Sequence, residues 1–417
     1  MVAIDTAFLG RVGEVALGAG ALGGLFYLAV VMLGIGFGTG MQILIGRRNG
    51  EKEYAQIGKI TDHGIYFLAA LAAFLFLVIF FLAPDLLKLF IKSKEIYEGT
   101  LQFLRYRSWG IFFAFINIIF TSFYVGVVKT RLLTFSTIIT AVTNAVLDYY
   151  LIFGNGGFPE MGIAGAAMAS SIAELTTALF FILRTYYFED LAKYQLFHFQ
   201  RYNAEVMGRI LNISVPIMLQ NFLSFAGWFV FFMIIEQLGE HALAVSNICR
   251  SIYMLMMIPI WGLCMSCNTL VSNLMGEGST DNVIPLIKKI VTMSFICELV
   301  IVLLNVIAPR YIISVYTNNA FLIEDSVNVL YVISLALLIF SVAMVMFMGV
   351  SGTGNTRVTF QFEIFTITLY QVVAFLLAIV FKVHVQYVWL VECMYFLIIG
   401  ILCYLYLRSG KWKLIKI

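Results

Sequence analysis

The sequence predicts an all-α polytopic membrane protein made of two six-helix lobes related by a parallel internal repeat. Three observations predict it. The 417-residue chain is 62% hydrophobic, with a mean hydropathy of +0.96. Only 12% of its residues are charged, against about 25% in soluble domains, which excludes a large soluble core. Residues 11–51 also align without gaps on 237–277. Charges are too few for the net value of +3 to point to a partner.

A spanning helix needs about 20 mostly apolar residues. Eleven segments qualify: 17–45, 60–83, 100–127, 133–154, 162–187, 207–236, 242–273, 286–308, 326–350, 358–381 and 386–407. Ahead of the first lies MVAIDTAFLG, too short to span. It reads as the tail end of a twelfth helix whose beginning is missing, through a fragment, a late start or a real loss. The start MVAIDTAFLGRVGE lacks a basic stretch followed by an apolar run, so no signal peptide is visible.

Basic residues fix the orientation. Seventeen fall on one set of loops, from Arg47 and Arg48 through Lys129, Arg131 and Arg184 to Lys411, Lys413 and Lys416. Eight fall on the other set, most of them between Lys88 and Arg107, and Arg250 lies within a span. The richer side is expected to be cytoplasmic, with the C-terminus inside.

In the repeat, Gly13 and Glu14 match Gly239 and Glu240, Tyr27 matches Tyr253, Gly36 matches Gly262, and Gly50 and Glu51 match Gly276 and Glu277. YVGVVKTRLLTF (124–135) resembles FMGVSGTGNTRVTF (347–360) with a short insertion. Both copies face the same side, so the repeat is parallel. The expected lobes are 1–190 and 207–417, joined by a polar cytoplasmic linker, 191–206. Parallel repeats with a site between the halves are one transporter design.

The six cysteines lie in apolar segments and read as small buried hydrophobes. The Cys264/Cys267 pair has no partner pair, and four scattered histidines form no ligand cluster. No cofactor is expected.

Ionisable side chains inside a bilayer cost at least about 2.5–3.5 kcal/mol and tend to face a functional interior. Asp148 is the foremost. It shares a helix face with Asn144 four residues earlier, and Gly154, Gly156, Gly157 and Pro159 then break the helix. The next helix opens GIAGAAMASS, whose small residues allow close approach and bring Ser170 toward the same interior. Carboxylate, amide and hydroxyl oxygens suit Na⁺ at Asp148 and Asn144; a carboxyl group in an apolar pocket also suits a proton. The competing reading places Asp148 at a helix end in the headgroup layer.

Glu174 and Glu298 lie well inside spans and are open between function and packing. Glu363 is expected near the cytoplasmic surface and Glu392 at the interface. Arg250 either pairs with one of these acids or snorkels outward. Pro216 and Pro259 lack the backbone donor and are expected to bend their helices. The 18 Met and 38 Phe suit a cleft for greasy cations, though most must face lipid.

These residues resemble the multidrug and toxic compound extrusion (MATE) family of antiporters, prokaryotic branch. The resemblance rests on DTAFLGRVGEVALGA, GTGMQILIGRRNGE and NAVLDYYLIFG…MGIAGAAMASS in the first half. In the second half it rests on SVPIMLQN, LGEHALAVSNI and GVSGTGNTR. It covers essentially the whole chain, which would lack most of the first helix. It implies two six-helix lobes that rock to export amphipathic organic cations in exchange for Na⁺ or H⁺. By motif, the coupling ion would sit at Asp5 of the first helix, Asn144 and Asp148 of the fifth, and Ser170 of the sixth, where threonine is common. Other branches use acids of the C-terminal lobe, but PIMLQNFLSFAG and LIFSVAMVMFMG carry none. The expected partners are small amphipathic cations and the bilayer of the cell membrane, with the chain working as a monomer and no nucleic acid.

The runner-up is a flippase for lipid-linked oligosaccharides on a related fold. Its cleft would need several basic residues for a pyrophosphate, whereas Arg250 is the only one read well inside a span. A membrane-embedded enzyme would need paired metal ligands or a nucleophile constellation, and neither is visible.

Overall fold

The computed structural model describes residues 2–415 and 417. Lys416, counted above on the basic side, lies outside them. No strand occurs among the described residues. Ten helices are long and apolar enough to cross a membrane, or eleven if one bent pair is a single span.

The chain opens with α1 (Val2–Val12), which is short, and α2 (Glu14–Gly50). Next, α3 (Tyr54–Leu77) continues through a π-helical turn at Val78–Leu82 into Ala83–Phe90. Pro84 has no N–H and its ring crowds the carbonyl four residues back, which accounts for the widened turn. The segment expected as one span over 100–127 is instead two helices, α4 (Lys94–Arg107) and α5 (Gly110–Gly126), bent by 52°. The break falls at the polar stretch RYRSWG (105–110), where a helix carrying Arg105 and Arg107 gives way to an apolar one. The first unit is completed by α6 (Arg131–Phe153) and α7 (Ile163–Phe188).

The second half follows as α8 (Ala204–Glu236), α9 (Glu240–Gly276), α10 (Val283–Ile307), α11 (Ala320–Gly352), α12 (Thr356–Phe375) and α13 (Leu390–Ser409). Pro216 and Pro259 lie inside α8 and α9, which run on past them. By contact the chain forms two compact units, Met1–Asn49 with Glu53–Met218, and Gly50–Lys52 with Leu219–Ile417.

The repeat is visible in the backbone. The aligned helices α2 and α9 are both 37 residues long and start and end at matched positions. Each is preceded by a glycine at positive φ, Gly13 at 149° and Gly239 at 107°, a conformation that disfavours any side chain with a Cβ. Further, the matched tyrosines make matched bonds: Tyr27 donates to Glu174 at 3.3 Å, and Tyr253 donates to Glu392 at 3.3 Å.

The helix α6 shows how such a chain meets lipid. Its buried residues include Ser136, Asn144 and Asp148, while Phe135, Ile138, Val142 and Val146 are exposed. Polar atoms turn inward, where protein can satisfy them, and apolar side chains turn to the hydrocarbon. In the second unit, buried Phe231, Tyr253, Tyr370, Trp389 and Phe396 belong to one core. Phe231 meets Tyr370 and Trp389 at ring separations of 5.3 Å.

Candidate functional site

The site is built on the α6–α7 hairpin. The turn between the helices passes through Gly154 in the left-handed conformation and Pro159. The returning helix opens with Ala164, Gly165, Ala166 and Ala167, all buried. A Cβ at Gly165 would lie 2.7 Å from the carbonyl carbon of Leu151, so only glycine permits this backbone approach. Below it the register continues: Asn144 meets Ser170 at 3.3 Å and Thr140 meets Thr177 at 2.5 Å. Small residues in the sequence thus set the distance at which the polar ones meet.

Helix α1 completes the site. Leu9 packs with Ala16, Ile152 and Ala166, and the Phe8 and Phe153 rings lie 6.0 Å apart. This seats Asp5 over the hairpin. Asn144 Nδ2 donates to Asp5 Oδ1 at 3.0 Å, and Ser170 Oγ donates to Asp5 Oδ2 at 2.8 Å. Asp148 is fully buried, and among the described residues no donor reaches either of its oxygens; Asn144 Oδ1 likewise has no partner among them. Asp5 is the acidic neighbour that acts electrostatically on Asp148. Asp148 is thus enclosed by protein rather than exposed at a helix end.

The pocket thus holds two carboxyl groups, an amide oxygen and a hydroxyl. Two negative charges in so dry a place are costly unless a cation or proton lies between them. All the donors to a cation would be oxygens, the ligand type of hard ions.

One helical turn past Ser170, Glu174 belongs to a second network that the sequence reading missed. Arg107 grips it with two bonds, Nη1 to Oε2 at 2.7 Å and Nη2 to Oε1 at 2.5 Å. The guanidinium lies 3.9 Å from the centre of the Tyr27 ring, and Asn117 holds the Glu174 carbonyl at 2.9 Å. Arg107 also acts electrostatically on Asp5. It was assigned to a loop because it follows Arg105 in a basic stretch, but it is only 6% exposed. Arg250 is therefore not the only basic side chain within the bundle. Its guanidinium lies 4.9 Å from the Phe232 ring, and no acidic partner is seen for it among the described residues.

Other acids are enclosed by protein. Glu363 is 2% exposed and accepts from Ser224 at 2.6 Å and Tyr395 at 2.8 Å. Glu392 is 2% exposed and accepts from Tyr370 at 2.9 Å as well as Tyr253. Glu298 is buried, and neither of its oxygens has a partner among the described residues. Tyrosines are the missed partners, and their hydropathy gives no signal that they are needed inside. No group of three or more His, Cys, Asp or Glu suited to a metal occurs among the described residues.

Comparison with known proteins bears on the family and the fold. The MatE family pattern matches residues 1–150 and 216–377. A probable multidrug resistance protein NorM of Thermotoga maritima is 26% identical over 98% of this chain and 88% of its own length. The probable multidrug resistance protein YoeA of Bacillus subtilis is 22% identical over 88% of this chain and 79% of its own. Among solved structures, a MOP superfamily transporter from Pyrococcus furiosus superposes with a TM-score of 0.88 at 19% identity, covering 97% of this chain and 90% of that one. The Vibrio cholerae MATE transporter VcmN gives 0.87 at 16%, covering 98% and 93%. Those two share the fold. With the family pattern spanning both halves, the chain belongs to the MatE family of multi-pass membrane transporters, a family of transporters and not of enzymes.

Proposed function

We propose that the protein exports small amphipathic organic cations from the cell in exchange for Na⁺ or H⁺. The coupling ion binds at Asp148 with Asp5, Asn144 and Ser170. One observation carries this reading: the Asp148 carboxyl group is wholly buried, has no hydrogen-bond donor among the described residues and feels the charge of a second carboxyl group, Asp5. Such a pair changes its energy steeply when an ion enters or leaves. An ion shifts a conformational equilibrium only as far as its affinity differs between the states. The relatives named as multidrug resistance proteins support a drug cargo. Arg107 does not revive the flippase reading, because Glu174 already occupies both arms of its guanidinium. The protein is placed in the cell membrane with its C-terminus on the cytoplasmic side, following the basic residues of its loops.

The test is Asp148→Asn in a host stripped of its own drug pumps. Ethidium efflux and drug resistance should be lost while the protein remains in the membrane at its usual level. Full resistance in the variant refutes the assignment.

A further inference from the structure

A groove at one membrane end of the first unit lies apart from the coupling site. It is a cavity of about 820 Å³ between the start of α6 and the end of α7, lined by Lys129, Arg131, Arg184 and Glu189 at its mouth. Phe135, Ile139 and Phe180 line it deeper along the helices. Three cations thus face one carboxylate. Glu189 is paired with Lys129, and it holds Arg184 Nη1 only at 3.6 Å. That nitrogen is buried and makes no hydrogen bond. Arg131 is exposed and no partner is seen for it among the described residues. It stands at the first position of α6, where the positive end of the helix adds to its field. Tyr186, Tyr187 and Phe188 are exposed beside it, and aromatic residues mark the headgroup level of a bilayer.

We infer that this groove binds an anionic phospholipid, its phosphate held by Arg131 and Arg184 and its acyl chain lying along Phe135, Ile139 and Phe180. The charge excess selects against zwitterionic headgroups, whose own cation would compete for Glu189. The apolar floor continues down the lipid-facing side of the hairpin. A free phosphate would have no use for that floor, so the occupant is a lipid and not a soluble anion. Basic pockets between membrane helices are known to hold anionic headgroups.

The full-length protein in detergent is titrated with phosphatidylglycerol or with phosphatidylcholine of the same chains, and bound lipid is counted by native mass spectrometry. Each arginine near a headgroup is worth roughly fivefold in binding. The double variant Arg131→Gln, Arg184→Gln should therefore lose a preference on the order of 25-fold for phosphatidylglycerol. Lys288→Gln with Lys289→Gln, an equal charge change at exposed positions in the other unit, should retain it. An unchanged preference in the arginine variant, or an equal loss in the lysine variant, overturns the proposal. So does displacement of the lipid by glycerol 3-phosphate at matched concentration. If the arginine variant does not fold, Phe135→Trp provides the readout. Its added fluorescence should be quenched more by brominated phosphatidylglycerol than by brominated phosphatidylcholine, and equal quenching overturns the assignment.

Discussion

Replacing Arg107 by Met tests whether the second network holds the first unit together. The Arg107 and Glu174 side chains are 8% and 9% exposed and are joined by two bonds. With charge centres about 4 Å apart at an effective dielectric of about 20, their attraction is about 4 kcal/mol. Removing one partner of a buried pair typically costs about 3–5 kcal/mol, because the other charge is stranded. Arg107→Met strands Glu174 with only Tyr27 at 3.3 Å, a single long bond. At roughly 2–4 °C per kcal/mol for a unit of some 200 residues, the apparent melting temperature should fall by about 10 °C. Glu174→Gln should cost a similar amount. The double variant Arg107→Met, Glu174→Gln should regain most of the loss, since no buried charge is left. The assay is thermal unfolding of the four purified proteins in one detergent at one scan rate, which keeps irreversible transitions comparable. Additive losses in the double variant, with coupling below about 0.5 kcal/mol, would refute the reasoning.

Two further outcomes follow from the site. Ser170→Thr keeps the hydroxyl that donates to Asp5 at 2.8 Å and should leave efflux near wild type. Ser170→Ala removes a bond to a charged group worth about 1.5–3 kcal/mol, and coupling-ion affinity measured by isothermal titration should fall at least tenfold; equal affinity in the two variants contradicts the site. Gly165→Ala would push a methyl carbon to 2.5 Å from the Leu151 carbonyl oxygen, forcing α6 and α7 apart at about 1–3 kcal/mol. Thermal unfolding should show this loss and ethidium efflux should slow, because the register that seats Asn144 beside Ser170 shifts.

Much of the candidate site was legible in the sequence. Asn144 and Asp148 stand out because four-residue spacing on an apolar helix puts two costly groups on one face. The glycine-rich turn and the small residues after it signal the close return that brings Ser170 near. Asp5 was a candidate only on the condition of a first helix, since eleven residues of α1 cannot declare a span, and the family resemblance supplied that helix. The partners of the surrounding acids were not legible, for one reason. Tyrosines 22 to 139 residues away along the chain bond Glu363 and Glu392. Arg107 failed in the same way, as its partner lies 67 residues on.

The amino-acid sequence by itself determined the membrane-spanning helices, the duplication and the family. These follow from transfer of apolar side chains into hydrocarbon and from local glycine conformations, which depend on neighbours in the chain. Tertiary structure alone decided which buried charge is neutralised, as Glu174 is by Arg107, and which is left waiting, as Asp148 is. It also decided that 100–127 bends. In a low-dielectric interior, the energy of a charge depends on atoms within a few ångströms, and packing determines which atoms those are.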